Sequence, residues 1–462
     1  MSFLDAISAH FPEVRAPPQK RLPFKEKVKW TLIILVLFFV MGLIPLFGLG
    51  ENALQQFEFL SIILGASFGS IISLGIGPLV TASIVLQLLV GTGILKYDLT
   101  NPEGRKKFQG LQKIMSIFFI VFEAAIYVLM GGLAPSAGLA GTAAYAQFEI
   151  LLIVQLIIGG LIIMFMDEVV SKWGLGSGIS LFIAAGVAQQ IFITAFNFLP
   201  SPTNPDIAAG AIPALFQSLA GGDLTTAALQ FSAVAFTVIV FAVSVFGQAM
   251  KVEIPLTFGR VRGFGIRWPL NFFYTSNIPV ILIAALMANI QLFARLLERW
   301  GTPLLGTFSG NSPISGLVYW LNSPDLVPSI IRGSFGLSQL GQAAIYMAVM
   351  IVGAIIFSIF WVQTANMDAA SQAKQIMSSG LQIPGFRRDE RVLERILSRY
   401  IWPLTIVGGA AIGFLAAFAD LTGALSRGTG ILLMVMIIYK LYEEISKQHL
   451  MDMNPMMRKF ME

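Results

Sequence analysis

Ten stretches with little or no charge recur along the chain, at about residues 30–50, 70–95, 114–134, 150–166, 174–200, 226–250, 270–294, 341–365, 400–419 and 428–445. A hydrocarbon core about 30 Å thick takes roughly 20 helical residues to cross, so each stretch can span a bilayer. Backbone polar groups in lipid must pair within the segment, and for uninterrupted apolar runs of this length that means helix. The last stretch is the weakest, because Lys440 interrupts it and must extend its amine to a headgroup. The expected fold is therefore an all-α membrane protein with ten transmembrane helices. Composition agrees: 56% of residues are hydrophobic, 12% are charged and the mean hydropathy is +0.78, whereas soluble domains carry about twice that charged fraction.

Placing the connections alternately on two sides tests the count. Of the 30 Lys and Arg residues, 26 then fall on the side that also holds both termini, and only Arg295, Arg299, Arg332 and Arg427 fall on the other. Lys and Arg collect on the cytoplasmic face, so both termini are expected to be cytoplasmic, and a miscount by one span would scatter the charges. If ten spans are two copies of a five-span unit, the odd number forces the second copy to insert upside down, as an inverted repeat. The halves would be residues 1–200 and 226–462, joined by an external linker at 201–225. The segment Arg15 to Lys29 is basic and proline-rich, and the first apolar run begins only at Trp30. No cleavable signal peptide is expected there, and that run should be retained.

The second apolar region is too long for one helix. From Glu51 to Lys96 the only charge between is Glu58, and Gly65, Gly69, Gly75, Gly77 and Pro78 punctuate the run. A short re-entrant helix from about Asn52 to Phe68, followed by a true span from near Ile71, accounts for this. Non-helical backbone at membrane depth needs protein or a water-filled cavity around it, so the break points to an external cavity. A single kinked helix without a pore accounts for the glycines equally well.

The chain has no cysteine, and its two histidines, His10 and His449, lie near the termini. Disulfides, thiolate chemistry, HExxH zinc sites and a histidine-dependent serine protease are thereby excluded. No GxxxxGK[ST] motif occurs, which argues against ATP hydrolysis. No catalytic residue, metal or cofactor is expected, and the chain does not read as an enzyme. Glu123 is the one acid in the middle of a span and is a functional candidate. Gln87, Gln155, Asn277, Asn289 and Gln363 are uncharged relatives, suited to hydrogen bonds between helices. A secondary transporter of a small solute would also have inverted repeats and broken helices, but it normally needs several ionisable groups near the midplane.

Two connections on the basic side are long, at residues 251–269 and 366–399. The first contains KVEIPLTFGRVRGFGIR and the second ends in GFRRDERVLERILSRY, with charges at helical spacing. Simple membrane anchoring would account for the charges. Connections of this size usually carry a function, and a polyanion such as RNA or an anionic headgroup surface suits these.

Taken in order, several segments resemble the SecY family of translocon channel subunits, in particular its archaeal branch, which is close to the eukaryotic alpha subunit. They are FKEKVKWT at 24–31, LGIGPLVTASIVLQLLVG at 74–91, FQGLQKIMSI at 108–117 and DEVVSKWGLGSGISLFIAAGV at 167–187. IPLTFGRVRG at 254–263, YTSNIPVI at 274–281, GFRRDE at 385–390 and GTGILL at 428–433 continue the series. The resemblance implies two inverted five-helix halves around an hourglass pore, with a re-entrant plug helix. It implies a pore ring of Ile76, Val80, Ile179, Ile183, Ile281 and Leu433, and a lateral gate with a polar cluster of Thr81, Glu123 and Asn289. The plug would comprise Glu58, Phe59, Leu60, Ser61, Ile62, Ile63, Leu64, Gly65, Ala66, Ser67 and Phe68. The ribosome would be contacted through Lys251, Arg260, Arg262, Arg387 and Arg388. Relatives often carry several basic residues just before the IPL, where Met250, Lys251, Val252 and Glu253 stand here, so the later loop is expected to carry more of that contact. The implied partners are small SecE-type and Sec beta-type subunits in a heterotrimer, the ribosome, signal sequences and nascent polypeptides, and membrane lipid. The implied place is the plasma membrane, and the implied function a passive conduit for secretory polypeptides that also releases membrane segments sideways into lipid.

Overall fold

The computed structural model describes residues 13–18, 22–52, 66–91, 94–95, 102–139, 141–201, 207–258, 265–275, 278–309, 312–378, 381–382, 389–426 and 428–453. Ten principal helices lie among them. The first five are α1 (Phe24–Gly42), α2 (Gly77–Gly91), α3 (Pro102–Leu129), α4 (Ala143–Trp173) and α5 (Gly178–Phe196). The second five are α6 (Leu224–Ala249), α7 (Ile278–Arg299), α8 (Leu337–Thr364), α9 (Glu390–Leu421) and α10 (Gly428–Met453). Every expected stretch overlaps one of them. Seven are long and apolar enough to cross a membrane by length and composition alone. The other three are α2, with only 15 residues, α1, whose first turns carry Lys25, Glu26, Lys27 and Lys29, and α10, which carries Lys440, Glu443 and Glu444 along its length.

Local chemistry sets the helix ends. Asp223 caps α6 by accepting from the Thr225 and Thr226 amides, and Asp389 caps α9 by accepting from the Arg391 amide. Asp167, inside α4, accepts from the Ile179 amide at 2.9 Å and so serves the start of α5 across the turn. The motifs at 24–31 and 167–187 meet here: Trp30 lies 5.6 Å from Trp173 between ring centroids, and the Thr31 hydroxyl accepts from the Leu175 amide.

The second span differs from expectation at its start. Ile71–Ile76 forms turns rather than helix, and α2 begins only at Gly77. Gly69 and Gly75 have φ of +96° and +55°, in the left-handed region that interrupts a helix, and Pro78 suits a first helical turn. The freed backbone groups find side-chain partners. The Gly69 amide donates to Ser73 Oγ at 2.8 Å, while the Ser67 hydroxyl donates to the Gly42 carbonyl at 3.2 Å. Of the expected re-entrant helix, residues 53–65 lie outside the described residues, and its expected ends are not helical. Asn52 closes strand β1 (Leu49–Asn52), which pairs antiparallel with β2 (Leu133–Pro135), and Ser67 and Phe68 precede the turns.

Both long basic-side connections contain regular structure among the described residues. In the first, β3 (Lys251–Phe258) and β4 (Gly265–Asn271) pair as an antiparallel hairpin, with Ile254 opposite Trp268. The second connection holds a helix, Ala369–Ser378, and β5 (Leu381–Gln382), which pairs with β3 to give the order β4-β3-β5. This connection is shorter than 366–399, because its charged end is already the start of α9. The linker at 201–225 contains the apolar helix Ala211–Gly221. The connection from α7 to α8 holds a small hairpin, Phe308–Ser309 with Ser312–Pro313, and two short helices, Gly316–Trp320 and Leu326–Ile331.

Candidate functional site

One continuous cluster of buried apolar residues draws on both sets of five helices. Ile76, at the turn before α2, Val80 on α2, Ile183 on α5, Ile281 on α7 and Leu433 on α10 are all buried members of it, none more than 6% exposed. Ile179, one turn before Ile183, is half-buried against the same cluster. The six residues that the resemblance implies for a ring thus share one apolar environment. Two close approaches help to bring them together. The Phe38 ring on α1 stacks on Phe182 of α5 at 4.6 Å, and a Cβ added to Gly430 of α10 would lie 3.3 Å from Val187 of α5.

Beside this cluster, the three polar residues implied for a gate form a bridge. The Asn289 side-chain amide on α7 donates to Thr81 Oγ1 on α2 at 2.9 Å, and Thr81 Oγ1 lies 3.0 Å from Glu123 Oε1 on α3. The Thr81 hydroxyl has one proton, and the Gly77 carbonyl at 2.9 Å is a second acceptor for it. Glu123 is fully buried, and its Oε2, the Asn289 Oδ1 and the nearby Tyr127 hydroxyl have no hydrogen-bond partner among the described residues. Low dielectric makes such half-satisfied groups costly, so the bridge holds three helices with little surplus.

Other candidates are scattered. Of the eleven residues implied for the plug, Ala66, Ser67 and Phe68 are described, lead into the turns before α2, and are half-buried; Glu58–Gly65 lie outside the described residues. Lys251 begins the hairpin, and its amine pairs with Glu443 of α10 at 2.9 Å. That hydrogen bond holds the amine above the ordinary lysine range. Arg260, Arg262, Arg387 and Arg388 lie outside the described residues. Among the span amides, Gln155 binds both the amide and the carbonyl of Phe47, Gln87 is buried with an oxygen that has no partner among the described residues, and Asn277 lies outside the described residues.

Sequence reading passed over a second buried acid, Asp420 at the end of α9. Its carboxylate accepts from the Thr429 amide at 2.8 Å, from the Thr429 hydroxyl, and from the Tyr346 hydroxyl at 2.5 Å. It sits one residue beyond the apolar stretch at 400–419, where an acid reads as a boundary charge. The signal that could have found it is its spacing before GTG at 428–430.

Comparison with known proteins bears directly on this arrangement. The profile described as SecY matches residues 70–442, and the one described as the plug domain of Sec61p matches residues 36–69. The chain is 47% identical over 455 residues to the protein translocase subunit SecY of Methanothermobacter thermautotrophicus, covering 97% of this chain and 96% of that one. It is 42% identical over 462 residues to the subunit of the same name from Methanocaldococcus jannaschii, covering 100% of both. A solved structure described as a protein conducting channel superposes with a TM-score of 0.81 at 41% identity, covering 97% of this chain and 98% of the other. Sec61 in the canine ribosome-channel complex from the endoplasmic reticulum superposes with a TM-score of 0.79 at 40% identity, covering 97% of each chain. With the profile matching most of its length and relatives matching nearly all of it, the chain belongs to the SecY family.

Proposed function

We propose that this chain is the central pore-forming subunit of a protein translocation channel, a passive conduit for secretory polypeptides that also releases membrane segments into lipid. The observation that carries the reading is the convergence of aliphatic side chains from α2, α5, α7 and α10, together with Ile76, in one buried cluster drawn from both sets of five helices. A narrow aliphatic collar dewets and so blocks ions, and it offers a passing chain no polar group on which to lodge. The seam between α2 and α7, bridged by Thr81, Glu123 and Asn289, acts as the lateral gate. When it parts, an apolar segment exchanges the pore for lipid, and the hydrogen bonds given up are each worth about 1 kcal/mol in a membrane.

Family membership also supports an integral membrane protein with SecE-type and Sec beta-type partners. The 26-to-4 distribution of basic residues supports cytoplasmic termini in a plasma membrane. The hairpin 251–271 and the connection 366–389 then face the cytoplasm, where Lys251, Arg260, Arg262, Arg387 and Arg388 meet the ribosome. The chain performs no covalent chemistry, and the driving force comes from elsewhere.

Ion conductance in planar bilayers tests the pore. Replacing Ile76 with Gly and Ile183 with Ser, or deleting Glu58 to Phe68, should raise the leak. An unchanged leak in both variants would remove the ring and the plug together.

A further inference from the structure

The first turn of α10 presents amide groups that need acceptors, and the residue before the helix, Arg427, is not a capping type. The acceptor comes from another helix. Asp420 of α9, 4% exposed, takes the Thr429 amide on one carboxylate oxygen and the Thr429 and Tyr346 hydroxyls on the other. Among the described residues these three donors are neutral, and neither the ring nor the gate uses this acid. Its placement ties three helices at one point: α9 carries the carboxylate, α10 begins on it, and Tyr346 comes from α8.

Leu433 lies four residues after Thr429, one helical turn along the same face, and is fully buried in the central cluster. Between them, Gly430 lets α10 approach Val187 of α5, itself one turn beyond Ile183. The preceding turn is held as well, since the Leu425 amide donates to the Thr237 hydroxyl of α6 at 3.0 Å. A helix rises about 1.5 Å per residue, so an error of one residue in where α10 starts would carry Leu433 out of register with Ile183.

We infer that Asp420 is a positioning residue that fixes the start of α10 and thereby holds Leu433 level with the other aliphatics of the central constriction. The inference rests on the proposed ring for its functional meaning, whereas the position of α10 can be measured without it.

The chain has no cysteine, so a single introduced thiol reports its own surroundings. In the full chain reconstituted in vesicles, Leu433→Cys should be nearly inert to a maleimide. Adding Asp420→Ala should raise its labelling rate roughly tenfold, the factor expected on losing a cap of this kind. Asp420→Asn keeps an acceptor for the Thr429 amide and should restore most of the protection. Leu152→Cys, also fully buried but in a separate cluster around α3 and α4, should stay inert throughout. Ion leak should rise in Asp420→Ala with the native Leu433 in place. Unchanged labelling at Leu433→Cys overturns the inference, as does an equal rise at Leu152→Cys, which would mark general loosening. Labelling without leak, in a chain where Leu433→Gly does leak, overturns it too. If Leu433→Gly itself does not leak, the ring fails instead, and the labelling alone decides the inference.

Discussion

The seam between α8 and α9 and the seam between α2 and α7 are both contacts between membrane helices, yet they are made of different materials. In the first, Gly409 and Gly413 stand four apart on α9. A Cβ at Gly409 would lie 2.5 Å from Ser358 Oγ, and one at Gly413 would lie 2.7 Å from the Met350 carbonyl. The helices touch almost backbone to backbone, and Ser358 is engaged with the Thr275 hydroxyl at 3.2 Å. In the second, Asn289 reaches Thr81, Thr81 reaches Glu123, and two oxygens of the set are left without partners among the described residues. Helices in lipid gain nothing from hiding apolar surface from each other, so close contact of small residues is the durable way to join them. A bridge of partly satisfied polar groups is the separable way.

The comparison breaks most readily at the glycines. Gly413→Val should cost about 3 kcal/mol, because the added carbons meet a backbone carbonyl that has nowhere to go. Thermal unfolding in detergent measures it, and an unchanged transition would mean that the α8–α9 seam is loose. At the other seam, Asn289→Ala removes one hydrogen bond of about 1 kcal/mol, which makes parting roughly fivefold easier. Less hydrophobic signal sequences should then suffice for insertion, and a graded signal series that shows no lowered threshold would deprive the bridge of its role.

The smallest effect lies outside both seams, at the Lys251–Glu443 pair. Glu443 raises the folded lysine above its ordinary value, so the contribution is complete at neutral pH and is lost only as pH rises through that raised value. Lys251→Ala should therefore cost at most about 0.5 kcal/mol, equally at neutral and mildly alkaline pH, and less in high salt. A penalty that changed between those two pH values would show that the pair is coupled to something deeper.

The ten helices were legible because charge is expensive in lipid, and its absence marks each span directly. The bridge was not legible from spacing, since Thr81 and Asn289 are 208 residues apart, and only the family resemblance joined them. Ile71–Ile76 reads as part of an apolar span, and its turns depend on two glycine φ angles that composition does not disclose. The hairpin at 251–271 was hidden by Pro255 and Pro269, which read as loop but sit within its strands. Asp420 was lost for a different reason: an acid at a helix end looks like solvent, whereas here the solvent is another helix.

The pairing of β3 with β5 has a mechanical consequence. Thr257 lies opposite Gln382 and Phe258 opposite Leu381, and beneath them Ile254, Tyr274, Val362, Ala373 and Leu397 share one cluster. The Tyr274 hydroxyl, four residues before α7, also donates to the Met367 carbonyl at 2.6 Å. Two connections that are separate in sequence are therefore riveted into a single handle. A force applied to either one is felt at once by the root of α9 and by the root of α7.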